Sequence, residues 1–256
     1  MRTKLCILLL FVLFSTFINA QETISISGRV TDFNGTPIEG CNVELKYSDF
    51  SNAYEGISDK DGYYILNNVK KGKYMGLIAI RKEDYLGNSQ AADPGKRLEF
   101  WAWNIIADKD LIINPRYHLL ELYGMNVYKV EGAYPGLFIY IRPMSGGKIL
   151  SYIEDIMQGK TEPEGIPDTT VKPEHFRAKV YIDDKEVQIN SVQPIQEYVG
   201  KDYSSMGGFL IQTELPQKKT DEPYLVIKIV AENLEYNEKG ENIYFYEIKD
   251  YERNPK

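Results

Sequence analysis

Between residues 24 and 80 apolar and polar residues alternate, and each run stops at a tight-turn signal, which confines this stretch to antiparallel β-sheet. Ile24, Ile26, Gly28 and Val30 fall on one face and Ser25, Ser27 and Arg29 on the other. That period of two marks a half-buried strand. Asp32-Phe33-Asn34-Gly35 follows as a turn, since Asn-Gly accepts positive φ cheaply. Val43, Leu45 and Tyr47 carry the inward face of the next strand. Asp59-Lys60-Asp61-Gly62 makes the next reversal and launches Tyr63 to Leu66, and Lys70-Lys71-Gly72-Lys73 makes another before Tyr74 to Ile80. Strands at this spacing, joined by hairpin chemistry, imply a sandwich and not a βαβ fold.

The order of these phrases carries more than their texture. Gly28, Asp32, Gly35, Pro37, Ile38, Gly40 and Val43 form the first phrase, Asp59, Gly62 and Tyr64 the second, Gly72 and Tyr74 the third. Together they resemble the carboxypeptidase regulatory-like module, a transthyretin-like β-sandwich, over roughly residues 23–85. The resemblance implies an accessory, non-catalytic domain, because these residues shape turns and fill interiors. It also implies a secreted or outer-membrane protein of Bacteroidetes type, where such modules occur, among other places, in the N-terminal extensions of TonB-dependent receptors.

Arg2 and Lys4 precede an apolar run from Leu5 to Phe17, which ends at Ile18-Asn19-Ala20. The run is too short to span a hydrocarbon core of about 30 Å comfortably, and residues 1–20 read as a signal peptide removed on export through the Sec pathway. No second segment of spanning length follows, so no transmembrane segment is expected after its removal. Loss of Arg2 and Lys4 deepens the formal net charge of −7 by two units. An acidic chain without a Lys/Arg cluster is unsuited to nucleic acid. Cys41 is then the one remaining cysteine, so no intrachain disulfide can form, and it reads as a buried, inert thiol.

Residues 82–97 read as a polar loop. Strands return at Leu98 to Ile106, Leu111 to Ile113 and Tyr117 to Tyr123. Further strands are expected at Leu137 to Ile141, Ala178 to Ile182, Gly208 to Ile211, Tyr224 to Val230 and Ile243 to Tyr246, all rich in β-branched and aromatic residues. Asp183-Asp184-Lys185-Glu186 and Glu238-Lys239-Gly240-Glu241 read as hairpin turns. Ile149, Ile153 and Ile156 stand at helical spacing, so Lys148 to Gln158 reads as a short amphipathic helix. Thr161 to Pro173 reads as an extended loop. The fold class is therefore all-β: a transthyretin-like or immunoglobulin-like β-sandwich over 21–124, then a second β-sandwich-like, immunoglobulin-like domain over 125–256. The second carries a loop and short-helix insertion at about 146–177.

Chemistry-bearing patterns are sparse. His118 and His175 stand far apart, in no ligand-spaced pattern, so no metal site and no cofactor is expected. Neither a nucleophile elbow nor a phosphate-cradling glycine loop occurs. Asp59-Lys60-Asp61-Gly62 has the look of a calcium loop, but Tyr63 to Leu66 follow where further ligands are needed, and the turn reading prevails. Trp101 and Trp103, two apart on a strand, project from one face. They either stack on a ligand such as a sugar ring or fill the sandwich core; these two are the candidate ligand-binding residues, with no catalytic residue named. The expected function is a non-enzymatic secreted or cell-envelope interaction or scaffolding protein, periplasmic, outer-membrane-associated or extracellular, whose partner is an envelope protein or a glycan. The alternative is a carbohydrate-binding protein of a polysaccharide-utilisation system, and after it an enzyme whose site lies in the 146–177 loop.

Overall fold

The computed structural model describes residues 22–86, 96–132, 135–162, 168–200, 206–215 and 222–249. The signal peptide, the middle of the 82–97 loop and part of the 161–173 loop lie outside the described residues. The strands are β1 (Thr23–Arg29), β2 (Asn42–Lys46), β3 (Asn52–Ile57), β4 (Tyr63–Lys70), β5 (Gly72–Ile80), β6 (Phe100–Ala107), β7 (Leu111–Ile112) and β8 (Leu120–Tyr128). After them come β9 (Gly136–Ser145), the helix α1 (Gly146–Met157), β10 (Phe176–Ile182), β11 (Lys185–Val187), β12 (Ile189–Glu197), β13 (Met206–Glu214), β14 (Tyr224–Asn233) and β15 (Glu238–Glu247). The described residues are all-β apart from the helix at the position its isoleucine spacing predicts.

Three sheets form: β4-β1-β7, then β11-β10-β14-β15-β6-β5-β2-β3, then β12-β13-β9-β8. Alternation along β15 shows how they stack. Ile243 and Phe245 enter a core with Ile26, Leu66, Val43 and Leu77, whereas Tyr244 and Tyr246 enter or border a second core with Leu122, Ile139, Ile211 and Ile229. Neighbouring residues of a strand point to opposite faces. The two small sheets therefore cover opposite faces of one eight-stranded sheet, and β15 is buried on both sides. In β14 Tyr224 and Val226 reach the first core while Ile227, Ile229 and Ala231 fill the second, and Lys228 interrupts the apolar residues between Tyr224 and Val230 to pair with Asp184 at 2.9 Å.

The small sheets are held close by glycines. A Cβ on Gly28 would stand 1.7 Å from the Ile113 carbonyl oxygen, and one on Gly62, at φ +83°, would stand 2.4 Å from the Val30 oxygen. Tyr64 Oη donates to that same Ile113 oxygen at 2.8 Å. Asp32 and Asp59 each accept two backbone N–H bonds across their turns, Asp32 from Asn34 and Thr36, Asp59 from Asp61 and Tyr63. The Asp59 carboxylate is thus occupied in shaping its turn. Cys41 is fully buried beneath the Tyr117 hydroxyl, at 3.3 Å, and burial pushes its thiol up to about 12.

Several local expectations need correction. Tyr47 is 47 % exposed and does not continue the inward face of Val43 and Leu45, because the chain turns at Tyr47 to Ser51. Tyr117 and His118 precede the strand that was expected to include them. Gly124 sits inside β8, and the cores change over between Tyr117 and Leu120. Glu238 to Glu241 is strand, not turn: the reversal falls at 234–237, where Asn237 takes φ 54°. Gly240 is there for close approach, since a Cβ would meet the Leu120 oxygen at 2.2 Å. Strand β12 escaped sequence reading because it is an exposed edge carrying Pro194, which edges tolerate.

Gly28→Ala should lower stability by ~3 kcal/mol, since backbone stands where the methyl would go. Gly35→Ala, with nothing within 4 Å but φ +83°, should cost about 1 kcal/mol. Urea midpoints of the two variants measure the contrast.

Candidate functional site

Trp101 and Trp103 lie on β6, on the face opposite Phe100, Ala102 and Ile105 of the first core. Strand register sets Trp101 beside Ile78 and Asn242, and Trp103 beside Gly76 and Tyr244. Strand β8 crosses this face and lays Tyr123 on it. The two indoles stack on one another at 4.5 Å and 9°, and Tyr123 stands edge-on to both, at 6.1 and 5.8 Å. Phe50 meets Trp101 edge-on at 6.4 Å from the β2–β3 turn. Arg142 of β9 caps the other side of Tyr123, its guanidinium 5.0 Å from the ring.

Both indoles therefore project together, as their spacing requires, but Trp101 is only 5 % exposed and Trp103 is half-buried. Each spends one face on the other. The pair joins the first β-sheet layer to the strand that opens the second.

Beneath the indoles lies a carboxyl pair that sequence reasoning missed. Trp101 Nε1 donates to Glu99 at 2.9 Å, and Tyr85 and Glu121 are also hydrogen-bonded to Glu99. Glu121 is 3 % exposed. Burial, then the charge of Glu99, raises Glu121 well above the usual carboxylate range, while Arg142 opposes this. Burial likewise raises Glu99, against the bonds it accepts from Trp101, Glu121 and Tyr85. Two carboxyl groups in contact cannot both ionise cheaply, so Glu121 keeps its proton and donates it to Glu99. The available signal was Glu121 standing between Leu120 and Leu122, a charge inside an apolar run.

Arg142 continues the network outward. Its Nη1 donates to Glu197 at 2.9 Å, and the Tyr140 hydroxyl donates to the same carboxylate oxygen. Trp103 Nε1 and Arg142 Nε have no hydrogen-bond partner. The other buried acids are each matched: Glu241 with Arg116, Glu44 with Lys46 at 2.6 Å, and Glu238 with Ser145, Asn233 and the Gly147 N–H at the start of α1. His118 and His175 contribute backbone carbonyls to Leu98 and Leu234 and stand in separate parts of the fold. Among the described residues no group of three or more His, Cys, Asp or Glu is placed to hold a metal ion.

Trp101→Ala should cost ~3 kcal/mol or more, the range for emptying a buried aromatic site, read as a fall in the urea midpoint. Glu121→Gln tests the acid pair. With its folded value raised, Glu121 holds a proton that the unfolded chain has released above the ordinary value of 4.5. The contribution of Glu121 to stability is therefore full at low pH and declines as pH climbs past that point. The melting temperature of Glu121→Gln relative to wild type should rise between about pH 4 and pH 8.

Residues 25–89 match the model of the carboxypeptidase regulatory-like domain. No curated protein matches the chain. Among solved structures it is similar to a DUF3823 family protein from Bacteroides ovatus ATCC 8483, at 9% identity over 88% of this chain and 99% of that one, with a TM-score of 0.27. It is also similar to BcpA, the major pilin subunit of Bacillus cereus, at 12% identity, 88% and 69% coverage and a TM-score of 0.27. A third is the major pilin SpaD from Corynebacterium diphtheriae, at 9% identity, 88% and 64% coverage and a TM-score of 0.23. At these scores the likenesses assign neither arrangement nor function to this chain. The sequence match stands by itself: the likeness to the carboxypeptidase regulatory-like domain is carried by residues 25–89.

Proposed function

We propose that this protein is a non-enzymatic interaction module of the cell envelope, exported through the Sec pathway, which holds a partner protein and transforms no substrate. The observation that carries this reading is the outward face of the small sheet β4-β1-β7. Register sets Ile65, Ser27 and Ile112 side by side across that sheet, with Tyr63 beside Arg29 in the next row. Ile65 and Ile112 are 54 % and 78 % exposed, and Tyr63 and the nearby Ile57 are exposed as well. Contiguous exposed apolar side chains on a sheet face mark an interaction surface. No helix among the described residues is long and apolar enough to cross a membrane, and the buried acids already serve the fold.

Glycan binding is the second reading, and Phe50 favours it. This residue takes φ 66°, a left-handed conformation that costs a non-glycine residue about 1–2 kcal/mol, and it is 52 % exposed beside Trp101. Strain held at an exposed aromatic residue is a mark of function.

A photo-crosslinking residue placed at Ile65 in the producing cells should yield one discrete protein adduct, and Ser27→Lys should abolish it with melting unchanged. Glycan-array binding that disappears in Phe50→Ala, with Ile65 yielding no adduct, would replace this reading with the second.

A further inference from the structure

The small sheet ends abruptly at β7, and a groove opens beside it. Strand β7 pairs with β1 in parallel, Ile26 with Leu111 and Ser27 with Ile112, and the Ile113 N–H donates to the Ser27 oxygen at 2.9 Å. In a parallel ladder, residues on either side of the bridged one bond to the partner strand. Leu111 and Ile113 therefore turn their backbone groups toward β1, and Ile112 turns its N–H and C=O the other way, into the open edge. Among the described residues no strand stands there in the sheet order.

The groove has a volume of about 260 Å³. Its floor is the eight-stranded sheet, through Val226, Ile243 and Phe245, and one wall is β7 itself. The first core is thus one strand short of closing over β14 and β15. The rim is acidic: Asp110, Asp183 and Glu222 line it against the single ammonium of Lys109. Lys109 already pairs with Glu222 at 2.7 Å, and Asp110 and Asp183 each accept one backbone N–H, from Ser25 and Val226. Asp110 also accepts from Ser25 Oγ at 3.1 Å, and the rim still carries three carboxylates against one ammonium.

We propose that an extended segment of a partner protein, apolar at alternate positions and flanked by Lys or Arg, adds to β7 as the missing strand. Ile112 supplies the N–H and C=O that fix its backbone. One or two inward side chains rest on Val226, Ile243 and Phe245, while the outward ones extend the Ile65–Ser27–Ile112 row. The basic flanks meet Asp110, Asp183 and Glu222. Main-chain pairing gives such a contact its affinity, and the pocket and charges give it selectivity. The inference rests on the interaction reading above and names the partner's chemistry.

The test uses the full secreted chain and two labelled peptides, KVTVTVK and DVTVTVD, followed by fluorescence anisotropy and hydrogen exchange. The basic peptide should bind at least about tenfold more tightly, the discrimination that complementary charge supplies. It should slow exchange within residues 109–113, and Ile112→Pro should abolish it, since that change removes the edge donor. Glu222→Lys, at an exposed rim position, should weaken the basic peptide alone and serves where Ile112→Pro does not fold. Equal binding of both peptides, binding of neither, protection elsewhere, or unchanged binding by Ile112→Pro would overturn the inference. So would a concentration-dependent dimer lost in Ile112→Pro, which would make a second copy the occupant. An adduct at Ile65 alongside any of these results would leave the interaction reading standing and sink only the added strand.

Discussion

The parallel pairing of β15 with β6 is the contact on which the architecture depends. Three register pairs, Asn242 with Trp101, Ile243 with Ala102 and Tyr244 with Trp103, weld the last strand to the middle of the first unit's sheet. Around this joint, Asn104 Nδ2 donates to the Phe245 oxygen at 2.6 Å, and Asn242 Nδ2 donates to the Leu122 oxygen. Two residue sets far apart in the chain thereby share one sheet. Without that ladder the eight-stranded sheet would fall into two four-stranded pieces. The first core would lose Ile243 and Phe245, and the second would lose the indole of Trp103 that borders it.

Burying a joint of this kind carries acidic groups inside with it, and three of them are accommodated in three different ways. Glu241 meets a cation, Glu238 meets a helix N-terminus and two side-chain donors, and Glu121 keeps a proton. A buried acid left alone would cost several kcal/mol. The three devices keep these acids from being left bare inside the seam, although Trp103 Nε1 and Asn242 Oδ1 there have no hydrogen-bond partner among the described residues. They also show why an abundance of acids in the sequence says little about catalysis: the conspicuous ones are fastened to their neighbours.

How much of this the sequence disclosed depended on how local the cause was. The turn at Asp59 was legible because a carboxylate caps its own turn within four residues, and α1 was legible through Ile149, Ile153 and Ile156. The face of Trp101 and Trp103 followed from a period of two, yet whether that face met water did not, since Tyr123 and Phe50 cover it from other strands. Gly240 misled in an instructive way. A glycine in a polar tetrapeptide looks like a turn, but here it answers a carbonyl oxygen 120 residues distant in sequence, that of Leu120. The acid pair was hidden for the same reason: Glu99 and Glu121 become neighbours only once β8 is laid across β6.

The double burial of β15 has a consequence for how the chain matures. Ribosomes deliver residues in order, so everything up to Tyr117 emerges long before the strands that roof its interior. Until Tyr224, Ile243 and Phe245 arrive, Phe100 and Ala102 lie beneath an absent neighbour, and a nascent or prematurely terminated product presents raw apolar surface. A chain that stops before Ile243 lacks the strand that pairs with β6, and Ile243 and Phe245 are then missing from the first core.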